Sequence, residues 1–378
     1  MIKVIFLIRA MGIGGAERQL IEQVRGLDKT QFEITVATFY DGGNLLPELK
    51  SLPGVKVVSL AKKGRWDLPS FGLRLWKLVK QTQPDILYGF MDGPNLICLL
   101  LGKLAGTKVV WSLHSARATY AGENWLAQSL SRLNSWLSIL PGLIIVNSEC
   151  GLESHVKLGY RLDQMLTIPN GIDTDKFAPD AAARERIRQE FGIAHKQPLI
   201  GLVGRLNPVK DHSLFLRAAA RLHQVQPEVR FICVGDGTAA YRAELETLSQ
   251  QLGLTSSIIW AGPRHDMAAI YNGLDIITST SISEGLPNVI AEGMACGVLP
   301  VVTNVGDSAK LVGKLLVTVG LVIPSGGVDY LVKAWQTLLS LPEAEHQRLS
   351  EAARQQILEN YSLSKLVNQT ASALVGVL

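Results

Sequence analysis

One unit recurs along this chain: a short run that is apolar at nearly every position, a loop holding Gly or Pro, then an amphipathic helix. Ile2–Ile8 is such a run. The loop Arg9-Ala10-Met11-Gly12-Ile13-Gly14-Gly15-Ala16 follows, and Leu20, Ile21 and Val24 fall at helical spacing over Glu17–Leu27. Glu33–Phe39, Val55–Leu60, Asp85–Tyr88, Lys108–Leu113 and Ile144–Asn147 read as further strands, and Leu96–Leu104 as a buried helix. Strands alternating with helices predict a parallel, doubly wound sheet.

The pattern restarts after a break. Ile168-Pro169-Asn170-Gly171-Ile172-Asp173-Thr174-Asp175-Lys176-Phe177 combines Pro, Asn-Gly and three acids, the composition of a turn-rich linker. A chain of 378 residues suits two domains, so the expected division is 1–170 and 171–362. Asp173 and Asp175 also spell D-x-D, a pattern of carboxylates that suits Mg or Mn; a hinge is the simpler account. Leu199–Val203, Phe231–Val234, Ile258–Trp260 and Asp275–Ser279 are the strands of the second half. Each opens at its C-terminal end onto a loop carrying Gly or Pro, where such sheets bind ligands.

The last of these loops, Ser283-Glu284-Gly285-Leu286-Pro287-Asn288-Val289-Ile290-Ala291-Glu292, has the most distinctive chemistry. Pro287 suits the first position of a helix, which places Glu284 before the helix, Asn288 and Val289 in its first turn, and Glu292 a turn deeper. A helix N-terminus suits a phosphate, and an ionised Glu accepts from sugar hydroxyls. An anion flanked by polyols describes a nucleotide-sugar. In Gly204-Arg205-Leu206-Asn207-Pro208-Val209-Lys210-Asp211 a guanidinium and an ammonium bracket a turn and together can hold a diphosphate. His114 directly follows Lys108–Leu113, a ligand position in such sheets, though a lone His is as readily structural. The glycine loop after Ile8 brings backbone close to a phosphate. It fails the dinucleotide fingerprint at Glu17, which disfavours hydride transfer.

Composition narrows the class. Apolar content of 47% with 35 Gly argues for globular α/β material, and four dispersed Cys argue against a disulfide framework or zinc knuckle. No targeting segment is expected, and the run Trp136–Val146 is broken by Pro141-Gly142, so a soluble, cytoplasmic or membrane-surface protein is predicted. Residues 1–169 hold 19 Lys+Arg against 13 Asp+Glu, whereas 170–378 hold 18 against 20. The basic half is compatible with an anionic lipid or acidic glycan. Lys62-Lys63-Gly64-Arg65-Trp66 and Phe71-Gly72-Leu73-Arg74-Leu75-Trp76-Lys77 could lie on a membrane interface or simply pack on the sheet. A nucleic-acid partner is not expected.

Gly14-Gly15-Ala16-Glu17, Pro169-Asn170-Gly171-Ile172-Asp173, Gly204-Arg205 with Lys210, and Glu284 with Glu292 together resemble the GT4 family of retaining glycosyltransferases. The resemblance covers nearly the whole chain. It implies a GT-B fold, two doubly wound Rossmann-like domains facing across a cleft, with the helix Leu363–Val377 crossing back so that 363–378 joins the N-terminal, acceptor-binding domain. It also implies transfer of a sugar from a nucleotide-diphosphate donor, UDP- or GDP-type, to a glycan or lipid-linked acceptor in cell-envelope polysaccharide synthesis, with no cofactor and no metal. Arg205 and Lys210 would neutralise the leaving diphosphate, helped by Gly285 and the amides of Leu286, Asn288 and Val289. Glu292 would bind ribose and Glu284 the donor sugar. Arg264 would lie near the base, His114 would face the reacting carbon, and Gly14 and Gly15 would floor the phosphates. Gly293 departs from the Ala usual in relatives, Pro300 falls one position late, and Gly313-Lys314-Leu315-Leu316-Val317-Thr318 lacks the expected acidic turn. The alternatives are a sugar-nucleotide epimerase of the same architecture and a catalytically silent nucleotide-sugar-binding partner.

Overall fold

The computed structural model describes residues 1–12, 14–64, 66–114, 125–314 and 321–378. Ile13 of the glycine loop, Arg65, and Leu315 to Thr318 lie outside the described residues. The chain divides into two compact units, Met1–Gly171 with Leu363–Leu378, and Ile172–Ser362.

The first unit is a seven-stranded parallel sheet. Its strands are β1 (Ile2–Ile8), β2 (Phe32–Thr38), β3 (Val55–Ser59), β4 (Ile86–Phe90), β5 (Lys108–Leu113), β6 (Leu143–Val146) and β7 (Met165–Thr167), in the order β3-β2-β1-β4-β5-β6-β7. β1 explains why the apolar runs lack alternation. Val4, Phe6 and Ile8 point into one buried cluster, and Ile5 and Leu7 into the other, so both faces are covered. The first helix, Gly15–Gly26, packs against the last, Leu363–Gly376, on one of those faces. The approach is close: a Cβ on Gly26 would lie 2.3 Å from Val367 Cγ2. Leu366 and Leu374 complete that cluster.

The end of this unit is pinned by one side chain. The buried Gln19 carboxamide donates to the carbonyl of Gly171 and accepts from its N–H, each at 3.0 Å. Asp173 serves the turn that follows in the second unit, its Oδ1 accepting from the N–H groups of Asp175 (3.2 Å) and Lys176 (3.0 Å).

The second unit is a six-stranded parallel sheet, with β8 (Leu199–Val203), β9 (Arg230–Val234), β10 (Ile258–Gly262), β11 (Ile276–Ser279), β12 (Leu299–Thr303) and β13 (Val322–Ile323) in the order β10-β9-β8-β11-β12-β13. Its core is one continuous cluster around Phe215, Phe231, Tyr271 and Trp335. No described helix is long and apolar enough to cross a membrane.

Candidate active site

The strand order of the second unit reverses between β8 and β11, and parallel sheets of this kind take ligands at that point, beyond the C-terminal strand ends. The loops leaving those two strands carry Arg205 and Lys210, and Glu284. They are stitched together. Ile282 N–H donates to the Val209 carbonyl at 2.9 Å, and the Thr280 hydroxyl lies 2.8 and 2.9 Å from the carbonyls of Lys210 and Asp211. Across that seam the Lys210 ammonium pairs with Glu284 Oε1. The same oxygen accepts from the buried Ser281 hydroxyl at 2.6 Å. The structure therefore brings two of the predicted residues into direct contact. Arg205 is exposed on the same loop and makes no ion pair among the described residues.

Backbone contact sets the height of this surface. A Cβ on Gly306, whose φ is +56°, would lie 2.3 Å from the Glu284 carbonyl oxygen, and Asp307 N–H donates to the Gly285 carbonyl at 2.9 Å. Only glycine fits beneath the loop. Gly235 likewise has φ +143°, and its Cβ would fall 2.0 Å from the Gly204 carbonyl oxygen.

The helix after Glu284 spans Asn288–Ala295, with Pro287 at the N-cap. The sequence predicts this proline one residue further in, at the first helical position. Its ψ of 88° is not helical, so the first turn begins at Asn288. Leu286 is buried, leaving its amide as its polar contribution, while Gly285, Asn288 and Val289 stay half-buried at the helix start. One turn on, Glu292 Oε2 accepts from the Tyr271 hydroxyl at 2.6 Å, which fixes the carboxylate.

Arg264 is engaged elsewhere. Asp266 and Glu190 accept from its guanidinium at 2.7–3.1 Å, and it lies over the Phe191 ring. Those bonds, Asp266's first, hold its pKa well above the usual arginine value.

In the first unit Gly14 caps the N-terminus of the first helix and Gly15 begins it, at the C-terminal end of β1 beside that sheet's own reversal between β1 and β4. His114 directly follows β5, half-buried. Its ring stacks on Phe90 at 5.1 Å, Nε2 lies 2.7 Å from the Ser112 hydroxyl, and burial lowers its pKa to about 4.

Two family models match this chain: Glycosyltransferase Family 4 over residues 13–176, and Glycosyl transferases group 1 over residues 183–356. The chain belongs to the GT4 glycosyltransferases. The two parallel-sheet units are those of the GT-B fold, and glycosyl transfer is the activity class. The GT4 chain is 25% identical over 312 residues to the putative glycosyltransferase EpsF of Bacillus subtilis, covering 80% of this chain and 79% of EpsF. It is 26% identical over 317 residues, 79% of each chain, to the UDP-Gal:alpha-D-GlcNAc-diphosphoundecaprenol alpha-1,3-galactosyltransferase of Escherichia coli. The fold matches that of Anabaena HepE in complex with UDP at a TM-score of 0.85 and 22% identity, over 99% of this chain and 100% of that one.

Ser281, Tyr271 and Gly306 hold the predicted site residues, and none was singled out from sequence. Ser281 stands three positions before Glu284, and Gly306 sits in Val305-Gly306-Asp307; both offered a local signal. Tyr271 offered none.

Proposed function

We propose that this GT4 enzyme is a retaining, metal-independent transferase that moves a sugar from a nucleotide-diphosphate donor to a lipid-linked or glycan acceptor. Its proposed place is the cytoplasmic face of the membrane, in cell-envelope polysaccharide synthesis. The observation that carries this is the contact between Lys210 and Glu284 at the strand reversal of the second unit. A cation for the diphosphate and a carboxylate for the sugar stand side by side there, at the start of a helix.

Arg205 and Lys210 would stabilise negative charge developing on the leaving diphosphate, the work a metal does in other transferases. Glu284 would accept from donor-sugar hydroxyls. Glu292, already aimed by Tyr271, would accept from ribose. Arg264 would reach a base only by leaving Glu190 or Asp266. A UDP-type donor is favoured because HepE binds UDP and the Escherichia coli relative is named for UDP-Gal; a lipid-linked acceptor is favoured by the diphosphoundecaprenol in that relative's name.

Membrane contact has support of its own. Helices Leu68–Thr82, Asp92–Ala105 and Trp125–Leu137 pack side by side in the first unit. They expose Leu73, Leu100, Leu104, Leu133 and Trp136 beside Lys77, Lys103 and Arg132. Asp92, at the start of the second helix, is the one Asp or Glu in 68–82, 92–105 and 125–140. An exposed apolar surface rich in cations suits an anionic bilayer.

The test is transfer from a panel of UDP- and GDP-sugars to lipid-linked acceptors, with and without EDTA, and the anomeric configuration of the product read by NMR. Transfer with retention, unaffected by EDTA, is expected. Lys210→Ala and Glu284→Ala should each lower kcat by about 10²- to 10³-fold, the loss typical of one electrostatic stabiliser, with circular dichroism unchanged. Unaltered turnover in either variant overturns the site assignment. Binding without turnover of any donor would favour the silent partner.

A further inference from the structure

The contact between Lys210 and Glu284 sets two needs of the site against each other. The Lys210 ammonium donates to Glu284 Oε1, and the two side chains are only 24% and 12% exposed, so solvent screens the pair weakly. The carboxylate is the fixed member. Its Oε1 also accepts from the buried Ser281 hydroxyl at 2.6 Å, and the Thr303 hydroxyl donates to the Ser281 carbonyl at 2.6 Å. The lysine loop is stitched to the same strand end through Ile282 and Thr280. Arg205, on that loop, makes no ion pair among the described residues.

A diphosphate needs the same ammonium that Glu284 holds. The three donors of an ammonium let it serve both partners by geometry. Charge sets them at odds: the fixed carboxylate cancels the cation and repels a phosphate beside it, and in a shielded site that repulsion is costly. The two forms of the nucleotide differ here. With a sugar attached, its hydroxyls donate to Glu284 and relieve its charge, and the esterified phosphate carries less charge of its own. The bare diphosphate brings no such donors. It ends in a monoester-type phosphate, whose second pKa of about 6 adds further negative charge near neutral pH. Glu284 therefore favours the sugar-bearing nucleotide twice, by what it accepts and by what it repels.

We propose that Glu284 drives release of the spent nucleotide: once the sugar has passed to the acceptor, the carboxylate reclaims Lys210 and lowers the affinity for the nucleoside diphosphate left behind. In that transfer the acceptor oxygen bonds to the sugar carbon, the C–O bond to the diphosphate breaks with its electron pair left on the phosphate, and the acceptor's proton ends in water. Arg205 holds the diphosphate before and after, and Lys210 is the contested cation. This rests on the nucleotide-diphosphate donor of the proposed function, and it adds a role for Glu284 that acceptance from sugar hydroxyls does not require.

Isothermal titration calorimetry with UDP and with GDP, the sugar-free nucleotides, tests this on the full chain. Glu284→Gln keeps the shape of the side chain and removes its charge. It should bind the nucleotide about tenfold more tightly than the wild type does, the worth of one charge-assisted hydrogen bond. In a Lys210→Met background the same change should lose most of that gain, because no ammonium is set free. In an Arg205→Ala background the gain should persist. Should Glu284→Gln not fold, Glu284→Ala reads the same contest. Unchanged or weaker nucleotide binding in Glu284→Gln overturns the proposal, as does an equal gain in the Lys210→Met background, and either result leaves the nucleotide donor standing. Binding of neither nucleotide by the wild type or any variant overturns the donor reading together with this one.

Discussion

His114 and His212 are both imidazoles placed where a charge would be costly. His212 follows Lys210-Asp211, is wholly buried, and has neither ring nitrogen partnered among the described residues; burial first and the Lys210 charge second lower its pKa to about 4. An unfolded histidine titrates near 6.5. The unfolded chain thus binds more protons than the folded one below that pH. Stability is complete above about pH 6.5, falls as the pH drops, and levels off below about 4, with a slope of about 1.4 kcal/mol per pH unit from each group. Urea unfolding at pH 7 and pH 5 should therefore show a loss in the wild type that shrinks by about 2 kcal/mol in His212→Leu. Equal losses in the two proteins would show that His212 does not titrate this way. At the same scale, legibility depended on residue type. Glu284, Lys210 and Arg205 announced themselves as charges among Gly and Pro at a strand end. Ser112 and Ser281 did not, because a small hydroxyl in a strand or loop gains meaning only once its partner is known. Arg264 was legible as a charge after a strand, while its two carboxylate partners, one of them Glu190 far away in sequence, were not.

Gly293 illustrates what an element demands of its residues. Glycine inside a helix costs about 1 kcal/mol relative to alanine, and the helix Asn288–Ala295 has only eight residues in which to absorb that. The reason is the strand beneath: a Cβ on Gly293 would lie 2.8 Å from Ile277 Cδ1 and 3.1 Å from its Cγ2. Ile277 is fully buried in β11, the strand that delivers Glu284. The glycine lets the helix settle onto that strand. Gly293→Ala should destabilise the protein by about 1 kcal/mol despite its better propensity, since overpacking typically costs about 1–3 kcal/mol. Ile277→Val should relieve it, so that the double variant is at least about 0.5 kcal/mol more stable than the two single changes sum to. Additive effects in thermal or urea unfolding would place the cost of Gly293→Ala elsewhere. Strands and helices with strong periodicity were read from sequence to within a few residues. β12 was not, because Pro300 argues against a strand interior. It is tolerated because short β13 pairs only with Val302 and Thr303, beyond the proline.

At the scale of the whole molecule, the basic, leucine-bearing surface of the three helices in the first unit has a direct test. Trp136→Ala combined with Lys103→Glu should weaken co-sedimentation with phosphatidylglycerol vesicles by about tenfold, since each cation near an anionic surface is worth about 1 kcal/mol. Thermal unfolding should be unchanged, as Trp136 is 76% exposed. Wild-type protein that ignores such vesicles would remove the membrane from the proposal. The sequence carried the two-sheet division because the strand–helix pattern visibly restarts, and the break fell one residue from the observed Gly171/Ile172 boundary. That outward face was less legible. A leucine at helical spacing reads as core, and Leu100 and Leu104 prove to be exposed only when the sheet is seen on the helix's other side.

The return of Leu363–Gly376 to the first helix also sets an order of events during synthesis. Chains emerge N-terminus first. The first unit leaves the ribosome with every strand in hand but with the side of Gly15–Gly26 that meets the last helix uncovered, and it stays so while the whole second unit is made. The part translated first is therefore the part finished last. Through that interval the seat of Val367 against Gly26 is the surface a chaperone would find.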